Sequence, residues 1–168
     1  MPIYARAHQK VTHIWSEDPA IEWSKDPSQD NGTTEAKYED FKKTGDTTKL
    51  TYKPGQTPVL FELKSLTHAQ KLRVGDEIAV AAARRQAVGE NSIAAQMLLY
   101  VPCATLVAYG LVAAKGMLDD AGQPLELKRD GERLTEATME ALSYPSLIIE
   151  VGLRIHEISS PDPTRGQA

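Results

Sequence analysis

The residues able to do chemistry are few and far apart. The chain has four histidines, His8, His13, His68 and His156, and one cysteine, Cys103. Zinc sites and acid–base catalysis need such groups at set spacings, as in H-E-x-x-H, where two imidazoles one helical turn apart can share a metal. That pattern is absent. His13 and His68 fall in or beside polar, cap-forming segments, where a solvated ring is the expectation. His156 lies near a predicted helix C-terminus, whose partial negative charge favours a cation. Cys103 follows Pro102 inside an apolar run, the setting of a buried, inert thiol and not of an activated thiolate. There is no G-x-S-x-G elbow, Walker A loop or G-x-G-x-x-G turn. Asp119-Asp120-Ala121-Gly122 brings carboxylates together, but without the alternating oxygen ligands and closing glutamate of an EF-hand loop, so it reads as a turn. No catalytic residue, metal ligand, cofactor-binding residue or cofactor is therefore assigned. The expectation is a non-enzymatic protein that works by binding other proteins.

The bulk properties bound that expectation. The 168 residues suit one domain of ordinary size with an appended arm, and 41% apolar with 25% charged residues is an ordinary globular composition. A net charge of −4 argues against binding nucleic acid through phosphate neutralisation. The tight basic pairs, Lys42-Lys43, Arg84-Arg85 and Lys128-Arg129, are scattered. A lone cysteine and the absence of a leader at the N-terminus point to a reducing compartment. The most apolar run, residues 93–114, contains Gln96, Pro102, Thr105 and Gly110. It reads as a buried helix pair or a kinked helix, with a membrane span as the alternative.

The elements that would position any functional group divide unevenly. Residues 17–46 carry nine acidic and four basic side chains, with few aliphatics and many Asp, Ser, Thr, Gly and Pro. Such a segment buries too little apolar surface to offset its ordering entropy unaided. Residues 1–57 are accordingly expected to be an extended acidic N-terminal arm. Residues 58–160 are expected to form a helical body, and 161–168 a loose C-terminal tail. The predicted fold class is mainly α: about four helices, a short strand or hairpin, and the arm.

Within the body, residues 59–64 combine β-branched and aromatic side chains with partial alternation, which predicts a strand. Thr67-His68-Ala69-Gln70 has the form of a capping box, opening a helix to about Ala87 with Val74, Ile78, Ala81, Ala82 and Val88 on its apolar face. Gly89-Glu90-Asn91-Ser92 breaks it. A second helical pattern starts at Ile93, with a kink or restart at Val101 forced by Pro102. Residues 119–124 form a turn, Leu125-Glu126-Leu127-Lys128 a brief extended piece, and Asp130-Gly131 another turn. Thr135 caps a third helix. Pro145 suits the first turn of a fourth, in which Ile148, Val151, Ile155 and Ile158 form a stripe that Ile149 and Leu153 widen.

One local repeat stands out. Trp15-Ser16-Glu17-Asp18-Pro19 recurs eight residues later as Trp23-Ser24-Lys25-Asp26-Pro27, so the chain's only two tryptophans sit in matching units. As two anchors on an acidic arm, Trp15, Trp23, Asp18 and Asp26 would make a partner-binding set, since Trp is enriched at binding hot spots. Both rings could equally fold back onto this protein's own core.

The body resembles the tail assembly chaperones of tailed bacteriophages and related small phage morphogenesis proteins. The residues that carry the resemblance are Phe61-Glu62-Leu63-Lys64-Ser65-Leu66-Thr67, the segment 116–125 and the proline-started helix through residues 142–159. The resemblance implies a small helical fold that binds tail tube or tape-measure subunits in the host cytoplasm and keeps them soluble until assembly. It implies no catalytic residue, nucleic acid or membrane partner. The arm lies outside it and raises the alternative of a virion structural or adaptor protein bound to neighbouring subunits. Whether the chain is a homo-oligomer stays open.

Overall fold

The computed structural model describes residues 9–25, 28, 31–89, 93–142 and 144–160. The expected tail at 161–168 lies outside the described residues. In chain order the elements are β1 (Lys10–His13), α1 (Glu35–Thr44), a 3-10 turn (Thr47–Lys49), β2 (Leu60–Lys64), α2 (His68–Val88) and α3 (Ile93–Gly110). Then follow β3 (Leu111–Lys115), β4 (Arg129–Asp130), β5 (Arg133–Leu134), α4 (Glu136–Ala141) and α5 (Pro145–Ser159). Strands β1, β2 and β3 form a sheet in that order, and β4 pairs antiparallel with β5 around Gly131. Helices take 49% of the described residues, and strands and bridges 17%. The class is therefore mixed α/β, which corrects the mainly α expectation. No helix among the described residues is long and apolar enough to cross a membrane.

Contacts divide the chain into two compact units, neither of them a single stretch of sequence. The described residues of unit 1 fall in 9–10, 63–112 and 126–160, and those of unit 2 in 11–62 and 113–125.

In unit 1, α2 opens on the capping box read from the sequence. The Thr67 hydroxyl accepts from the Gln70 N–H at 3.3 Å and the Gln70 side chain accepts from the Thr67 N–H at 2.9 Å. Gly89, at φ 87°, follows its end in a conformation that favours glycine. Helix α3 runs unbroken through Pro102 and packs against α2 and α5. The apolar run is thus one proline-containing helix followed by strand β3; of the two expected forms, a helix pair or a kinked helix, the pair does not occur. The Arg129 guanidinium donates to the carbonyls of Ala108, Leu111 and Glu132. It thereby satisfies acceptors that the end of α3 leaves without an intrahelical partner. Burial lowers the Arg129 pKa.

Pro145 occupies the first turn of α5 as expected. Leu147, Ile148, Val151 and Ile155 are buried, Ile158 is half-buried, and Leu153 is 46% exposed. The stripe is therefore narrower than its sequence. A Cβ on Gly152 would stand 2.7 Å from the Cys103 Cβ and 2.8 Å from the Cys103 carbonyl oxygen. The absence of that carbon is what lets α5 approach α3 so closely.

Unit 2 overturns the expectation of an extended arm. Ile14, Ile21, Tyr38, Phe41 and Leu50 form a buried cluster with Tyr52 and Leu60 against it. Thr34 caps α1 by accepting from the Lys37 N–H, and Gly45, in the left-handed region at φ 69°, ends it. Polar side chains replace missing aliphatics as the internal framework. Thr33, fully buried, exchanges hydrogen bonds with the backbone of Thr51, and the Tyr38 hydroxyl donates to the Ile14 carbonyl at 2.5 Å. Seven apolar residues spread over 47 positions, from Ile14 to Leu60, thus close a small core because hydrogen bonds fix the backbone between them.

Candidate functional site

The groups able to do chemistry are dispersed. His13 is buried at the end of β1, 2% exposed, contrary to the expected solvated ring, whereas His68 and His156 are exposed at helix ends. His8 lies outside the described residues. Cys103 is 1% exposed, and burial pushes its thiol from the ordinary 9.0 up to about 11. Its neutral form therefore dominates at physiological pH, which opposes nucleophilic attack. No group of three or more His, Cys, Asp and Glu among the described residues could hold a metal ion. Asp119 accepts from the N–H groups of Ala121 and Gln123, both at 2.9 Å, so its carboxylate shapes the turn read from the sequence.

The four residues singled out for partner binding part company. Trp15 is half-buried, and its carbonyl accepts from the Asp18 N–H at 3.0 Å in a tight turn. Asp18 is buried, with one carboxylate oxygen accepting from the Ala20 N–H at 2.8 Å and the other from the Val59 N–H at 2.9 Å. Both oxygens hold the protein's own backbone, so Asp18 is a structural clamp. Asp26 lies outside the described residues.

Trp23 is different. Its ring is 42% exposed, its Nε1–H donates to the Ser16 carbonyl at 3.1 Å, and its centroid lies 5.7 Å from that of Tyr38. Tyr38 in turn lies 5.8 Å from Phe41. An aromatic series thus runs from the core cluster to the surface, and the hydrogen bond fixes the outermost ring. A ring held in this way loses little side-chain entropy when something covers its free face. Trp15 and Trp23 share the W-S-x-D-P pattern yet occupy unlike settings, so the repeat does not specify two equivalent anchors.

The sequence reading missed a second surface, on unit 1. Helix α2 buries Gln70, Val74 and Ala81, while Leu72, Val80 and Val88 are 62%, 51% and 47% exposed. Val88 and Ala82 therefore face outward, against the apolar face expected for them. Beside Val80 an open groove of about 320 Å³ runs between α2 and α3, with Leu98, Val101 and Pro102 on the α3 side. Val101 is 60% exposed. A four-residue spacing of Leu72, Val80 and Val88 through Asp76 and Arg84 was the available signal. It is hidden by the stronger Val74-to-Ala81 periodicity of the buried face. A second groove, of about 550 Å³, is lined by Tyr100, Thr105, Asp130, Arg133, Glu136 and Met139 among others. Its polar groups are partly engaged: Arg133 stands 5.2 Å over the Tyr109 ring, and Thr105 donates to Glu77 at 2.7 Å.

No family model, curated protein or solved structure matches the chain.

Proposed function

We propose that this chain is a non-catalytic protein-binding component of tailed-phage morphogenesis that holds tail proteins in the host cytoplasm until they assemble, in the manner of a tail assembly chaperone. The observation that carries the binding role is Trp23, a half-exposed ring fixed by the Ser16 carbonyl and backed by Tyr38. A large, preorganised aromatic surface is the kind of anchor that dominates protein interfaces. The phage reading is supported locally, by the strand entering a capped helix at Phe61 to Thr67, the turn at 119–124 and the proline-started α5. The partner is a tail tube or tape-measure subunit. No nucleic acid, membrane or cofactor enters this role.

Co-expression with tail tube and tape-measure proteins of the same phage tests it. The expected result is a tail subunit that stays soluble and co-purifies with the wild type, and is lost with Trp23→Ala while circular dichroism stays unchanged. Failure to capture any tail protein, together with stoichiometric recovery of this chain in purified particles, would overturn the chaperone role in favour of a virion structural one.

A further inference from the structure

The row Leu72, Asp76, Val80, Arg84 and Val88 lies along α2 at four-residue steps. It is symmetric about its centre. Val80 has an acidic residue four positions before it and a basic one four after, then an aliphatic residue eight positions away on either side. All five side chains are exposed. Among the described residues neither Asp76 nor Arg84 forms an ion pair.

We propose that α2 is a self-association surface, where two copies of this chain pair antiparallel about a two-fold axis through Val80. A closed two-fold interface must be complementary to itself, so a residue on one side of the axis meets its counterpart from the other side. About Val80, that operation brings Asp76 of each copy against Arg84 of the other, on both flanks of a Val80–Val80 contact. The row turns about 40° around the helix at each four-residue step, so Leu72 and Val88 lie well off the Val80 face, and the pairing rests on Asp76, Val80 and Arg84, a span of about 12 Å at 1.5 Å per residue. No like charges of the row meet.

The neighbouring row makes the approach physically open. Gly75, Ala79, Ala83 and Ala87 run beside the first row at the same spacing, all exposed, and a Cβ on Gly75 would meet nothing within 4 Å. Small residues in one row and larger ones in the next make a ridge beside a shallow groove. With Val80 on the axis the two Val80 rows face each other, and the small side chains beside them leave room for Asp76 and Arg84 to reach across. Val101, across the α2–α3 groove from Val80, extends the apolar area that a second copy would cover. An unrelated amphipathic helix could cover the aliphatics, but nothing in it would require opposite charges placed symmetrically about them. That charge symmetry selects a second copy as the occupant. The surface is in unit 1 and shares no residue with the Trp23 anchor in unit 2, so it stands whether or not the tail-protein reading does.

Sedimentation velocity of the full chain over a wide concentration range tests the proposal. The wild type is expected to show a reversible species of twice the 18.4 kDa chain mass. Asp76→Arg or Arg84→Asp alone sets like charges against each other and should raise the dimer dissociation constant about tenfold or more. The double reversal, D76R with R84D, should return it to near the wild-type value. Val80→Glu, which places two carboxylates on the axis, should leave monomer. Circular dichroism checks each variant, and Asp76→Ala with Arg84→Ala serve as weaker disruptors where a reversal fails to fold. A wild type that stays monomeric throughout, single variants that dimerise as the wild type does, or a double reversal without rescue would each overturn the pairing. Tail-protein capture lost in Trp23→Ala and kept in Asp76→Arg would separate the two surfaces.

Discussion

The backbone N–H of Leu66 donates to the hydroxyl of Ser159 at 2.9 Å, across 93 residues of sequence. The same hydroxyl donates to the Ile155 carbonyl at 2.6 Å, so it is used both as donor and as acceptor. Leu66 immediately precedes the Thr67 cap of α2, and Ser159 is the last residue of α5. One buried oxygen therefore fixes where the first long helix of unit 1 starts relative to where its last helix ends. Replacing Ser159 with Ala leaves the Leu66 N–H buried without an acceptor, which costs about 1–3 kcal/mol. Chemical denaturation should show that loss, with Ser159→Thr retaining more of the stability than Ser159→Ala.

The α3–α5 contact is expected to show both limits of close packing. Ile155 is 0% exposed, and its truncation to Ala should cost about 2–5 kcal/mol through the cavity left behind. Gly152→Ala pushes a methyl into the Cys103 backbone, and overpacking of this kind costs about 1–3 kcal/mol or more. A Cβ on Gly110 would meet Ile155 side-chain atoms at 2.6–3.0 Å. Gly110→Ala should therefore destabilise the wild type, yet do less harm in the Ile155→Ala background, where its methyl enters the vacated space. A double-mutant cycle by urea unfolding measures that coupling.

Asp18→Asn should destabilise unit 2 almost as an alanine does. The carboxylate offers acceptors to two N–H groups, and an amide must turn its own donor toward one of them. A loss of about 1–3 kcal/mol is expected for that unsatisfied contact, read by tryptophan fluorescence because Trp15 and Trp23 flank the turn.

Alkali should weaken the fold through Cys103. Its folded pKa, about 11, lies above the ordinary 9.0. Above pH 9 the unfolded chain releases the thiol proton while the folded chain keeps it, so stability is full below that value and falls as pH rises toward 11. The two-unit gap corresponds to roughly 2–3 kcal/mol. Cys103→Ala should flatten the decline between pH 9 and 11 in thermal melts, and the wild-type thiol should resist alkylation until the protein unfolds.

Local signals in the sequence were legible wherever one short segment decides its own conformation. The Thr67–Gln70 capping box, the Thr135 cap, the proline start of α5 and the Asp119 turn depend on neighbours within four residues, and all four occur. Unit 2 was illegible for the opposite reason. Its core residues Ile14, Ile21, Tyr38, Phe41 and Leu50 show no shared period, and the contacts that unite them, such as Tyr38 to the Ile14 carbonyl, are long-range. An acidic, aliphatic-poor stretch was therefore read as unable to fold. Yet Thr34, Gly45 and the Tyr38/Phe41 pair at i,i+3 already marked α1.

The settings of the four residues proposed for partner binding were not legible from their shared pattern. Trp23 has the exposure of an anchor, but Asp18 is conspicuous in the sequence for a structural reason. The W-S-x-D-P pattern does not distinguish a carboxylate that faces outward from one that ties its own backbone.

Unit 2 joins residues 11–62 to 113–125, and unit 1 joins 63–112 to 126–160. On the ribosome, the earlier segments emerge before the pieces that complete them. The apolar faces of α3 that await α5 are therefore made well before their cover, and neither unit can finish as an N-terminal block folded ahead of the rest. A premature stop after α3 would release sticky helices, not a smaller folded protein. This chain is thus expected to accumulate all-or-none in the cell, with nascent fragments going to quality-control proteases.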